Sequence, residues 1–251
     1  MDKSRLDSGL ARGRMWTALM AGMLAAVILG GPLTAAAGEI ESTLAYGGLL
    51  YDKWFKVVNA ETPATAHPAY PDDGKYKGKK GADWRCKECH GWDYQGRDGA
   101  YASGKHFTGI KGVRGMAGAD TDTIIAVLKD KTHGYTGEMM SDADFEALAL
   151  FVSKGQVDMD RYIDRATRKV KGDAAKGEAY YNTICANCHG KDGAKVKDMN
   201  PMGKVVDGNP WESLHKVLNG QPGETMPAMR ALDIQISLDA LAYAQGLPKE
   251  K

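Results

Sequence analysis

Two pentapeptides of the form C-x-x-C-H, Cys86-Lys87-Glu88-Cys89-His90 and Cys185-Ala186-Asn187-Cys188-His189, use all four cysteines of this 251-residue chain. The pattern is the attachment signature of a c-type haem. Two residues between the thiols make one helical turn, which matches the separation of the two haem vinyl groups. The adjacent histidine then becomes the proximal iron ligand. Zinc sites also use C-x-x-C pairs, but they need four converging ligands and rarely place a histidine directly after both pairs. A redox-active C-x-x-C sits once in a βαβ pattern, whereas the flanking segments here read as helices. Structural disulfides are the third alternative for an exported chain. Two covalently attached haems, held by Cys86, Cys89, Cys185 and Cys188 with His90 and His189 on the irons, are the expectation.

The N-terminus points to export. Lys3, Arg5, Arg12 and Arg14 precede an apolar run from Met15 to Leu29, which is followed by Gly30-Gly31-Pro32 and Ala35-Ala36-Ala37. A basic start, a short apolar stretch and an A-x-A site form a signal peptide. The run is shorter than the ~20 residues that span a bilayer comfortably. Cleavage after Ala37 is expected, so 1–37 is leader and the mature chain is periplasmic; membrane association would arise only through an uncleaved N-terminal segment. The whole chain carries a formal charge of +1. Its leader holds four basic and two acidic residues, which leaves the mature part at −1. No basic block suggests a nucleic-acid partner.

The remaining length suits two domains of about 100 residues each. In the first, 38–154, a helix is expected over Leu44–Val58, with Leu50, Tyr51, Trp54, Phe55 and Val58 at near-helical spacing. A Pro/Gly/Lys-rich loop leads to the first motif, which is flanked by Trp84, Trp92 and Tyr94. These aromatics are expected to shield a haem edge. Helices follow at Asp120–Lys131 and at Asp142–Val152, the latter with Ser141 as N-cap. Residues 155–171 read as a short linker that packs on a domain. In the second domain, 172–251, Asp173 is placed to cap a helix entering the second motif. Helices are expected at Trp211–Leu218 and Ser237–Gln245, the last with Leu238, Leu241 and Ala242 on one face.

From Gly172 to Pro248 the chain resembles class I cytochrome c. The residues that carry the resemblance are Gly172-Asp173 with Gly177, Cys185-x-x-Cys188-His189-Gly190, and Met226-Pro227 ahead of a terminal helix. The resemblance implies an all-α fold wrapped around one haem, with His189 and Met226 as the axial ligands. A second such domain would make the whole chain two tandem class I domains, and dihaem cytochromes of the c4 type are the nearest architectural comparison. The extended segment before the first motif departs from them.

The sixth ligand of the first haem stays open at this level. Aligning His133-Gly134-Tyr-Thr-Gly-Glu-Met139-Met140 forward on Asn219-Gly220-Gln-Pro-Gly-Glu-Thr-Met226 puts Met140 opposite Met226, and Met140 is preferred. Counting backward from the closing helices puts His133 there instead. Met139 and His106 are further alternatives, while His67 and His215 read as surface or haem-edge residues. The function expected is that of an electron carrier between a redox-protein donor and acceptor. The alternatives are a dihaem enzyme of the thiosulfate dehydrogenase or peroxidase kind, with chemistry at the first haem, and a tightly bound haem subunit of a dehydrogenase.

Overall fold

The structure of the protein is a computed structural model that describes residues 31–251, with side chains from Gly38 onward. The leader expected over 1–37 lies largely outside the described residues. The chain divides into two units between Glu41 and Ser42. Of the first, only the opening turns of helix α1 (Gly31–Val57) are described. Among the described residues no strand forms, and no helix is long and apolar enough to cross a membrane. Irregular backbone is tied by turns and by two isolated bridges, Gly96 with Lys111 and Ile163 with Val170.

Helix α1 buries the face its periodicity picks out. Leu50, Tyr51, Trp54 and Phe55 are buried, and the helix breaks its regular geometry only at Lys53. After the short helix α2 (Cys86–His90) come α3 (Thr121–Leu128) and α4 (Asp142–Leu150). Asp120 caps α3 through the amide of Thr123. Ser141 caps α4 in a reciprocal box, its hydroxyl accepting from the Asp144 amide while the Asp144 carboxylate accepts from the Ser141 amide. A π-helical turn, Phe151–Gly155, prolongs α4. Residues 155–171 hold a single short helix, α5 (Met159–Tyr162), and bury Met159, Ile163 and Val170.

The second half is helical as well. Asp173 caps α6 (Ala174–Tyr180), which runs through a π-turn (Tyr181–Cys185) into α7 (Ala186–His189). Then come α8 (Met202–Gly208), α9 (Pro210–Asn219) and α10 (Ile234–Gln245). Helix α9 starts with proline in its first turn and Asn209 as N-cap, a pairing suited to amides that lack intrahelical acceptors.

In each half the entering and closing helices cross where a glycine removes the side chain. A Cβ on Gly47 would sit 2.2 Å from the Ala147 carbonyl oxygen; one on Gly177 would sit 1.9 Å from that of Asp239. Four residues on from each glycine stands a tyrosine packed on an aromatic of the closing helix. Tyr51 lies 5.5 Å from Phe151, and Tyr181 lies 5.5 Å from Tyr243, with interplanar angles of 45° and 48°.

The two halves interlock through buried polar contacts. The sequence places His215 at the surface or at a haem edge; the structure buries it fully, because helix α9 turns that face inward with Leu214 and Leu218. Its Nε2 donates to the Gly48 carbonyl at 3.0 Å, and its Nδ1 accepts from the Tyr94 hydroxyl at 2.9 Å. Trp92 packs on the same ring. Asp52, 1% exposed, pairs with both Arg85 and Lys216, and Lys216 Nζ lies 2.7 Å from its Oδ2. Burial alone would raise the Asp52 carboxyl, but the Lys216 and Arg85 cations outweigh it and hold it down at about 2.

Burial also pushes His215 down to about 4, against an ordinary value of 6.5. Between these values the unfolded chain binds a proton that the folded chain refuses. Stability therefore falls as pH drops below 6.5, by about 1.4 kcal/mol per unit for this group, until the loss is complete near pH 4. Denaturation midpoints measured from pH 7 to 4.5 should decline, and in His215→Gln this part of the slope should vanish. An unchanged slope in that variant would refute the account.

Candidate functional site

The first attachment motif forms helix α2, and its residues line a cavity of about 420 Å³. Cys86, Cys89 and His90 stand on one side; Ile124, Leu128 and Leu148 cover another. Burial raises the Cys86 thiol to about 11 and the Cys89 thiol to about 12, so both are neutral thiols at pH 7. All four cysteines are free. Among the described residues no group of three or more His, Cys, Asp or Glu side chains converges as a metal site, so the zinc reading has no ligand set.

His90 is held by its Nδ1, which donates to the Lys111 carbonyl at 2.6 Å. Burial lowers its pKa to about 4, although the Lys111 carbonyl works in the opposite direction. A neutral imidazole with Nδ1–H fixed by a carbonyl presents Nε2 as a metal ligand. Protonation is disfavoured at His189 as well, again through burial, and its buried Nδ1 has no hydrogen-bond partner.

The second motif lies nearer the surface. Cys185, His189 and Met226 are half-buried and Cys188 is exposed, while burial raises the Cys185 thiol to about 11. Met229, the local competitor of Met226, is buried in the core at 6% exposure and its amide bonds the Val217 carbonyl. Met226, by contrast, is half-buried and so less enclosed than Met229.

The backbone around the two motifs shares several local features. Gly91 and Gly190 follow the histidines with φ near 79° and 83°, a region that favours glycine. The Tyr51 hydroxyl donates to the Gly91 carbonyl at 2.7 Å, and the Tyr181 hydroxyl to the Gly190 carbonyl at 3.0 Å. The His90 carbonyl accepts from the Gly96 amide, and the His189 carbonyl from the Lys195 amide, six residues on in both cases. Asp93 and Asp192, three residues after the histidines, each accept the amide two residues further along. These tyrosines and aspartates are functional supports that motif reading misses. The shared pattern C-x-x-C-H-G-x-D was the available signal.

Other expected residues fall elsewhere. Met140, preferred from the sequence as sixth ligand of the first haem, is 2% exposed in the core and is not among the residues lining the cavity. The turn Thr136–Met140 feeds straight into the α4 cap and directs this side chain into helix packing. Met139 does not line the cavity either, whereas His133 and His67 do. His67, expected at the surface or at a haem edge, is buried against Trp84. His106 is stacked between Tyr76 and Tyr101 and bonds the buried Glu88 carboxylate at 2.6 Å. Trp92 packs on His215 and does not line the cavity.

Residues 172–237 match the family model described as cytochrome C oxidase, cbb3-type, subunit III. This segment is a cytochrome c domain. The match spans 66 of the 251 residues and supports covalent haem binding and electron transfer by this segment; among the described residues the fold is helical, without strands. No curated protein and no solved structure matches the chain.

Proposed function

We propose that the chain is a dihaem c-type cytochrome of the periplasm, made of two tandem class I domains, which carries single electrons between a protein donor and a protein acceptor. The observation that carries this reading is the repeated backbone at the two motifs. The same tyrosine-to-carbonyl bond, glycine geometry and aspartate turn surround Cys86–His90 and Cys185–His189. Paired helix crossings at Gly47 and Gly177 extend the equivalence beyond the motif. The leader-like start supports export.

The residues present fit a haem at each motif: neutral thiols to form thioethers, neutral imidazoles to bind iron, and an apolar cavity at the first. When bound, haem supplies the one-electron couple. The chain's contribution is to hold and shield. Tyr51 and Tyr181 fix the carbonyl just after each proximal histidine, Lys111 orients His90, and Met226 serves as a soft ligand on the second iron.

Haem quantitation on the purified protein, by alkaline pyridine spectra against protein mass, should give two haems per chain. Cys86→Ala/Cys89→Ala and Cys185→Ala/Cys188→Ala should each retain one. The dithionite-reduced protein should keep its spectrum under carbon monoxide, and cell fractionation should recover it from the periplasm. One haem in the unmodified protein would overturn the dihaem reading. Rapid carbon monoxide binding at one haem would replace the carrier with an enzyme.

A further inference from the structure

Resting on the dihaem reading above, we propose that His133, not a methionine, is the sixth ligand of the first haem, which makes that haem bis-histidine and sets it at a lower potential than the second. The rings of His90 and His133 have centroids 6.3 Å apart and planes within 24° of each other. At that separation the rings are not in face-to-face van der Waals contact, which needs about 3.5–4 Å. Metal–imidazole bonds are about 2 Å, and a ring centre lies about 1.1 Å behind its nitrogen, so two imidazoles on opposite sides of one ion have centres about 6 Å apart. Both rings line the same cavity as Cys86 and Cys89.

Hydrogen bonding leaves the right atoms available. His90 has Nδ1 on the Lys111 carbonyl, and His133 has Nδ1 3.4 Å from the Asp130 carboxylate, whose Oδ1 also accepts the His133 amide at 2.9 Å. Each ring thus keeps Nε2 for a metal. The other cavity histidine is unsuited. The His67 Nδ1 accepts the Ala69 amide at 3.2 Å, which puts the ring proton on Nε2.

Register gives an independent argument. The crossing points on the closing helices are Ala147 and Asp239, opposite Gly47 and Gly177. Met226 lies 13 residues before Asp239, and His133 lies 14 before Ala147, whereas Met140 lies only 7 before it. Measured from equivalent structural points, His133 occupies the place of Met226. Met140 has passed it and belongs to the helix cap.

Imidazole lacks the thioether's preference for Fe(II), so the first haem takes the lower potential and electrons pass from it to the Met226-ligated second haem. The test is low-temperature electron paramagnetic resonance and near-infrared magnetic circular dichroism of the oxidised, full-length holoprotein. One bis-imidazole haem and one imidazole–thioether haem are expected, with two resolved midpoints. Met116 is the methionine that does line the cavity, so both Met140→Leu and Met116→Leu should leave the two signatures in place. His133→Met should convert the bis-imidazole signature to a second thioether one and raise the lower midpoint. Two thioether signatures in the unmodified protein, or loss of one signature in Met140→Leu or Met116→Leu, would overturn the assignment. Should His133→Met fail to fold, the unmodified spectrum and the Met140→Leu spectrum still decide. Haem content is measured on the same sample, so fewer than two haems per chain would mark failure of the dihaem reading separately from failure of the ligand assignment.

Discussion

Gly177→Val should prevent the second half of the chain from closing around its attachment motif. The new Cβ would lie 1.9 Å from the Asp239 oxygen and 2.5 Å from its carbonyl carbon, both backbone atoms of α10. A side chain can turn aside from an intruder; a helix backbone has to move as a whole. The cost is about 4 kcal/mol or more, beyond ordinary overpacking, because the α6–α10 crossing and the Tyr181–Tyr243 contact would be lost together. Denaturant unfolding monitored by circular dichroism should show the second half already unfolded, with attachment at Cys185 and Cys188 sharply reduced. Gly208→Ala is the control. A Cβ there meets nothing within 4 Å, so stability should change by less than about 1 kcal/mol. Normal folding of Gly177→Val would mean that the two helices do not need this close approach.

Asp52→Ala should cost about 3 kcal/mol. The carboxylate is buried and engages two cations from distant parts of the chain, Arg85 beside the first motif and Lys216 on α9. Removing one member of such a group leaves the others without compensation, and that is where most of the loss arises. Arg85 and Lys216 keep side-chain exposures of 20% and 18%, so water relieves part of it and the figure sits at the lower end for buried pairs. Asp52→Asn separates charge from shape and should lose nearly as much. If the asparagine variant melts like the unmodified protein, the charge has no role and packing alone holds these elements together.

The regular elements were legible because their signals are local. Alternating turns of apolar residues located α1, and Asp120, Ser141 and Asp173 marked helix starts at the positions where their side chains cap the backbone. The attachment motifs were legible for the same reason, since five adjacent residues carry the chemistry. Residues whose role comes from distant partners were not. His215 sits in a helix whose sequence neighbours include Glu212 and Lys216, and only the approach of Gly48 and Tyr94 makes it buried. The ligand loop was ambiguous because two alignments are possible, one from the glycine-rich stretch and one from the closing helix. The proposed His133 assignment takes the closing-helix anchor because Gly47 and Gly177 each meet a carbonyl of the helix they cross, a correspondence no local pattern signals.

The contacts around Asp52 and His215 also fix an order of events. Synthesis delivers Asp52, Arg85 and Tyr94 long before Lys216 and His215, so the early part of the chain waits with a half-neutralised carboxylate and an unanswered tyrosine hydroxyl. Cys86 and Cys89 are made during that interval, in a segment whose final packing is not yet available. The last helices, once made, close these open contacts and so act as a latch on the first half of the chain.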